Sequence, residues 1–209
     1  MKVTIIGAGN MGKGLTKHLA KAGHQVTVTA RDLGKAQALA DEFAHVTAAP
    51  AEQALGSSEV VVVATGYADA VPALKSLGDL SGKTVVDITN PLTQDYMGLT
   101  VGHSTSAAEE IAKAVPGALV VKAFNTVFAQ ILAEGPELQG KRVPVYYATD
   151  SEPARETVRA LIESTGFLPV NAGPLKNARY LEPVAGLNIY FGYGAGHGTG
   201  IAPSWIGIE

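Results

Sequence analysis

Cysteine is absent from this 209-residue sequence. Disulfide scaffolds, iron–sulfur clusters and thiolate zinc sites are thereby excluded, and the fold must rest on its core alone. Charge of one sign is also scarce: 16 basic residues against 19 acidic ones leave a net charge of -3. Nucleic-acid affinity needs a basic patch from which counterions are released, so no nucleic-acid partner is expected. Long apolar runs are missing too. No stretch reaches the roughly 18 residues of a membrane span, and no membrane partner is expected. The run Val3-Thr4-Ile5-Ile6 is cut off at Gly7, too soon for a signal peptide. A cytoplasmic protein is therefore expected, long enough for one large domain with its own core.

Glycine is what abounds: 24 residues, concentrated between Gly7 and Gly14 and between Gly186 and Gly207. Elsewhere, β-branched runs alternate with alanine-rich amphipathic stretches. Strands are predicted at 2–6, 25–29, 59–64, 84–88 and 118–123, with a short one at 45–47. Helices are predicted at 11–22, closed by Gly23 in a left-handed cap, at 33–43 with Asp32 as N-cap, at 68–77 and at 107–115. The four valines Val60 to Val63 are apolar on both faces, as a central parallel strand is. Strands separated by helices imply right-handed βαβ units. The pattern is expected to continue through a strand at 143–148, a helix at 153–164, a strand at 168–170 and a helix near 176–187. Residues 135–140 read as a loop and 192–209 as irregular.

The first predicted strand runs directly into Gly7-Ala8-Gly9-Asn10-Met11-Gly12. This G-x-G-x-x-G pattern is weak alone, but here it sits between a strand and a helix. Gly7 permits the sharp turn, Gly9 lets backbone approach a diphosphate, and Gly12 lets helix and strand pack closely. The helix N-terminus then presents amides to the anion. The fold class expected is α/β, a Rossmann-type doubly wound, mostly parallel sheet with a small C-terminal helical or irregular segment. Residues 1–182 are expected to form the dinucleotide-binding domain and 183–209 a segment bordering an acceptor pocket or a dimer contact. Past the second strand the chain reads Ala30-Arg31-Asp32. Arg31 is placed to fork onto a 2′-phosphate. Asp32 is either the acid that binds a ribose diol in NAD enzymes or, better supported, a helix N-cap. NADP(H) is the expected dinucleotide, with Ala30, Arg31 and Lys35 among its contacts.

Several segments in one order carry a resemblance: the Gly7 to Leu15 loop, Ser104 to Ile111, Val120-Val-Lys-Ala-Phe-Asn-Thr126, Val143-Pro-Val145, and Ala172 to Glu182. Through them the chain resembles NADPH-dependent F420 reductases (F420H2:NADP oxidoreductases) and their bacterial homologues, relatives of the cytosolic domain of STEAP metalloreductases. The resemblance implies an oxidoreductase whose nicotinamide lies near the ends of the fourth to sixth strands. It adds Ala64, Thr65, Gly66, Asn90, Pro91, Ala123 and Asn125 to the cofactor contacts. It implies hydride transfer to a small-molecule acceptor, F420 or another flavin-like planar ring. The chain departs from F420-reducing members at Ala64-Thr65-Gly66-Tyr67, at Asn125-Thr126, and at Ala8 and Ala30, where some relatives carry hydroxyls.

A ring-to-ring hydride transfer needs no positioned acid, whereas reduction of a small carbonyl or imine calls for a proton donor. Tyr67, Lys122 and His197 are the candidate donors. Each has a duller reading: Tyr67 as packing, Lys122 as an ion-paired or snorkelling lysine, His197 as an exposed loop residue. Asp87 is expected to orient the Asn90-Pro91 loop. A non-catalytic NADP(H)-sensing module is the third alternative, because the glycine fingerprint reports binding and not turnover. The histidines lack ligand spacing, and no metal is expected. Tyr190, Phe191, Tyr193 and Trp205 read as a lid over the acceptor and, at the same time, a homodimer contact.

Overall fold

The four consecutive valines decide the layering. In a computed structural model describing residues 1–207, Val60–Val63 form strand β4, and all four are buried. Because successive strand side chains point to opposite faces, Val60 and Val62 enter one core while Val61 and Val63 enter another. The sheet is therefore covered on both sides.

The N-terminal half runs β1 (Lys2–Ile6), α1 (Asn10–Lys21), β2 (Gln25–Thr29), α2 (Leu33–Ala40), β3 (Val46–Ala48) and α3 (Ala51–Ala54), then enters β4. It continues through α4 (Tyr67–Lys75), β5 (Thr84–Asp87), α5 (Ala107–Ala114) and β6 (Leu119–Lys122). These strands form one parallel six-stranded sheet in the order β3-β2-β1-β4-β5-β6. The order reverses between β1 and β4, and that crevice at the strands' carboxyl ends is where doubly wound sheets bind ligands.

The remainder comprises α6 (Ala129–Glu134), β7 (Glu137–Leu138), β8 (Lys141–Arg142), β9 (Pro144–Tyr147), α7 (Glu152–Ser164), β10 (Leu168–Asn171), a 3-10 turn at Leu175–Asn177 and α8 (Ala178–Ile189). Two expectations need correcting. Residues 135–140 are not a plain loop: β7 and β8 pair as a hairpin through Gln139 and Gly140, both at positive φ, as a tight two-residue turn requires. Nor do β9 and β10 extend the parallel sheet. They pair with each other, and β9 meets β6 through a single antiparallel bridge, Lys122 with Ala148. Helix α6 has 6 residues and, at about 9 Å, is too short to carry the chain back along a strand for a parallel crossover.

The tail beyond α8 makes a π-helical turn at Tyr190–Gly194 and then runs without regular structure. It is nevertheless pinned to its own chain. His197 N–H donates to Phe191 O at 3.0 Å, Tyr146 Oη donates to Pro203 O at 3.3 Å, and Trp205 meets Tyr146 edge-on at 5.1 Å. Ile208 and Glu209, the end of the expected C-terminal segment, lie outside the described residues.

Helix α1 packs on α6 through Gly14, where a Cβ would come within 2.5 Å of the Leu132 Cβ. One turn on, His18 Nε2 donates to Leu132 O at 2.8 Å. Burial holds the His18 pKa below its ordinary value, and His24 is lowered for the same reason. The unfolded chain therefore takes up these protons first. Their contribution to stability is complete above about pH 6.5 and is lost as pH falls toward the folded-state values. Thermal melts should show Tm falling from about pH 7 to about pH 5, and His18→Gln, which keeps a donor for Leu132 O, should flatten that slope. An unchanged slope in the variant contradicts this account.

Candidate functional site

Beyond β1 the backbone turns at Gly7, whose φ is +119° and whose N–H donates to Thr29 O at 2.8 Å. A Cβ at Gly7 would lie 2.4 Å from Ala64 O, and one at Gly12 would lie 1.9 Å from Gly7 O. The chain's own packing thus demands these two glycines. Gly9 differs. Its φ of -81° and ψ of -174° suit any residue, and a Cβ there would meet nothing within 4 Å. Among the described residues nothing requires glycine at that position. It opens onto α1, which has neither a side-chain cap nor an acidic residue in its first turn. Free first-turn amides beside space that any other side chain would fill suit a diphosphate. The residues present therefore fit a dinucleotide.

Two clefts flank this turn. The first, of about 600 Å³, is lined by Gly7, Ala8 and Gly9, by Ala30, Arg31 and Lys35, and by Ala64, Thr65 and Gly66. Arg31 is 89% exposed and, among the described residues, pairs only with Asp69, at 3.5 Å, so its guanidinium is held loosely. Asp32 is engaged: its Oδ1 accepts from Lys35 N–H at 3.3 Å and caps α2. Thr29 Oγ1 is buried without a partner on the same wall.

The second cleft, of about 630 Å³, lies where β5 and β6 end. Met11 of α1, Asn90, Asn125 and Thr126 line it together with Asp95, Tyr96 and Met97 from residues 88–106, and Ala185, Asn188 and Ile189 from α8. After β6 the chain turns through Phe124, buried and at φ +59°. A bulky residue in the left-handed region is strained and marks a position held by its surroundings. The turn sets Asn125 against Asn90: Asn90 Nδ2 donates to Asn125 O at 2.9 Å, and Asn125 Nδ2 donates to Asn90 Oδ1 and Leu181 O, both at 3.0 Å. Asn188 Nδ2 donates to Thr126 O at 3.2 Å. Asn125 Oδ1 and Thr126 Oγ1 are left buried without partners among the described residues. Such orphaned groups are uncommon and call for a partner that the chain does not supply.

The other residues singled out from the sequence fall elsewhere. Asn10 lines a smaller cleft with Lys13, Lys17 and Tyr193, while Gly12, Pro91 and Ala123 are buried and line none of these three. Neither main cleft contains Tyr67, Lys122 or His197. Lys122 corrects an expectation: its side chain is 0% exposed, with Nζ 2.8 Å from both Asp87 Oδ2 and Glu182 Oε1. It is the ion-paired lysine, with no path to a substrate. His197 is exposed and packs edge-on against Phe191 at 6.2 Å. Tyr67 opens α4 half-buried, and burial followed by the charges of Glu110, Glu182 and Asp87 raises its pKa, which keeps it protonated. Sequence reasoning missed Asp95, Tyr96 and Met97. The signal was available, since a stretch without periodicity as long as 88–106 exceeds ordinary βα connections and such loops are commonly functional.

A family model described as "NADP oxidoreductase coenzyme F420-dependent" matches residues 2–91. The F420-dependent NADP reductase of Methanothermobacter thermautotrophicus is 30% identical over 210 residues, covering 90% of this chain and 88% of that protein. The chain belongs to the F420-dependent NADP reductase-like family of dinucleotide-binding reductases. Its fold is that of an NADP(H)-binding Rossmann oxidoreductase. A crystal structure of a protein from Arthrobacter sp. FB24, assigned as an F420-dependent NADP reductase, superposes with a TM-score of 0.85 at 28% identity, over 97% of this chain and all of that one. Rat metalloreductase STEAP3 is 34% identical over 184 residues, 88% of this chain. The family member described here spans only about a third of that relative's length, at 36%. The imine reductase of Pseudomonas sp. shares the fold with a TM-score of 0.69 at 25% identity, over 93% of this chain and 62% of that one. No helix among the described residues is long and apolar enough to cross a membrane.

The contrast between the glycines is testable. Gly9→Val should leave Tm nearly unchanged yet weaken NADPH binding roughly 100-fold, about 2.7 kcal/mol. Gly12→Ala should lower Tm by several degrees, because the new Cβ must displace backbone at Gly7. Calorimetry with thermal melts on both variants checks the pair, and loss of Tm in Gly9→Val with retained binding contradicts it.

Proposed function

We propose that this chain is an NADP(H)-dependent oxidoreductase that holds the dinucleotide along the Gly7 to Gly12 turn and serves an acceptor in the second cleft. The observation that carries the reading is the space at Gly9 beside uncapped helical amides. In this reading Arg31 and Lys35 meet the 2′-phosphate in the first cleft, where Asp32 is already committed as a cap. Asn125 Oδ1, which lacks a donor, suits the N–H of a carboxamide, and Asn90 and Leu181 O hold its side chain in place. Ile88, Val127 and Phe128 give the second cleft an apolar wall. The bound nicotinamide supplies the hydride.

The acceptor is constrained by proton supply. Asp95 lines the second cleft, but hydrogen bonds from the Thr93 hydroxyl and then Met97 N–H lower its pKa, so it gives up no proton near neutrality. The two phenols on the wall, Tyr96 and Tyr193, are largely exposed. An acceptor that brings its own proton or takes one from water therefore fits better than a neutral ketone. An iminium brings a proton and a positive charge that the Asp95 carboxylate attracts, and the likeness to the Pseudomonas imine reductase supports this class. A flavin or F420-type ring takes its proton from water, and Phe128 and Tyr193 offer it aromatic walls. The match to the Methanothermobacter reductase supports that class.

Stopped-flow oxidation of NADPH by F420, FMN, riboflavin, cyclic imines and small ketones separates these readings. Turnover with imines or with planar rings, and little with ketones, is the expected outcome. Oxidation by no acceptor would leave a nucleotide-sensing module instead. In the same assay Arg31→Gln should lower the preference for NADPH over NADH by about tenfold, the worth of one charge-assisted contact. An unchanged preference removes Arg31 from the 2′-phosphate site.

A further inference from the structure

Asp87 and Lys122 are register partners at the carboxyl ends of β5 and β6. Glu182 of α8 joins them, and the three side chains are 0%, 0% and 1% exposed. Lys122 Nζ also donates to Thr89 O at 2.6 Å. Every carboxylate oxygen faces a donor. Asp87 Oδ1 accepts from Thr89 N–H at 2.8 Å, and Oδ2 accepts from Lys122. Glu182 Oε2 accepts from Ala107 N–H at 3.0 Å, and Oε1 shares Lys122 with Ala108 N–H at 3.3 Å. All four oxygens act as acceptors, the pattern of two carboxylates gathered around one ammonium. Two anions and one cation leave a sealed cluster with one excess negative charge. The N-terminus of α5, where Ala107 and Ala108 lie, offsets about half of it.

Holding α8 in place does not account for that excess. An apolar trio would dock a helix as well, and a buried unpaired charge is costly. The cluster's position suggests a use. Asn90 lies three residues beyond Asp87, Asn125 three beyond Lys122, and both line the second cleft. At about 3.3 Å per residue the charge sits within roughly 10 Å of the cleft wall. The wall itself includes Ile88, Val127 and Phe128, an apolar surface that disfavours a cationic ring.

We propose that the Asp87–Lys122–Glu182 cluster sets the redox preference of the site, its residual negative charge favouring the cationic oxidised nicotinamide over the neutral reduced one. This rests on the proposed function, which brings the nicotinamide to that cleft. The consequence is that bound NADPH becomes a stronger hydride donor than it would be over an uncharged core. Glu182 and Asp87 then act as tuning residues that touch neither cofactor nor acceptor.

Calorimetric Kd values for NADP+ and NADPH test this on the wild type, Glu182→Gln and Asp87→Asn. Each substitution removes one charge while keeping shape, and should weaken NADP+ relative to NADPH on the order of tenfold. A ratio that stays constant while both forms weaken together marks a purely structural lock and overturns the inference. If neither variant folds, the wild type decides: NADP+ bound no more weakly than NADPH supports the cluster's role, and NADPH bound more tightly overturns it. A wild type that binds neither form defeats the proposed function itself, a result distinct from an unmoved ratio.

Discussion

Three backbone segments meet at the end of β1, and the rest of the structure is arranged around that contact. Gly7 O and the position of a Gly12 Cβ are separated by only 1.9 Å, and Ala64 O closes on Gly7 from the neighbouring strand. Only a chain without side chains at 7 and 12 can bring β1, β4 and the start of α1 so near one another. The approach aims the uncapped end of α1 into the crevice where strand order reverses. With the helix held there, Gly9 opens toward one cleft and Met11 toward the other. A single ligand lying across the turn would bridge the two.

The two clefts are built on different principles. The first is framed by the ends of β1 and β2 and the first turn of α2, with the end of β4 and the start of α4 closing its far side. The second is assembled from distant parts: the ends of β5 and β6, residues 88–106 and one face of α8. Those parts are coupled by polar contacts rather than by apolar packing alone. Asn90 and Asn125 tie the two strand ends together, Asn188 ties α8 to Thr126, and the charged cluster beneath joins β5, β6, α5 and α8. Such networks specify one arrangement only when their members are satisfied. Two of the exceptions among the described residues, Asn125 Oδ1 and Thr126 Oγ1, fall on the cleft wall.

The central parallel strands were legible because they are short β-branched runs buried on both faces, and helix α2 because Asp32 caps it as its side chain predicts. The glycine turn was legible because its spacing came with a strand before it and a helix after. Lys122 was misjudged as a candidate donor for a specific reason. Its apolar strand was evident, but its partner Glu182 lies far along the chain and is brought alongside only by the docking of α8. The hairpin at Gln139-Gly140 lacked the usual Asn-Gly or Asp-Gly signal. The placement of β9 depends on the shortness of α6, a length that alternation alone did not reveal. Residue type says what a side chain can do; whether Tyr67, Lys122 or His197 reaches a cleft is decided by packing.

A crystal structure with NADPH bound tests the central claim most directly. The account predicts the diphosphate against the main-chain amides of Asn10 and Met11 next to Gly9, the 2′-phosphate near Arg31 and Lys35, and the nicotinamide beside Asn125 in the second cleft. A diphosphate seated away from that turn, or a nicotinamide pointing out of the second cleft, would contradict it.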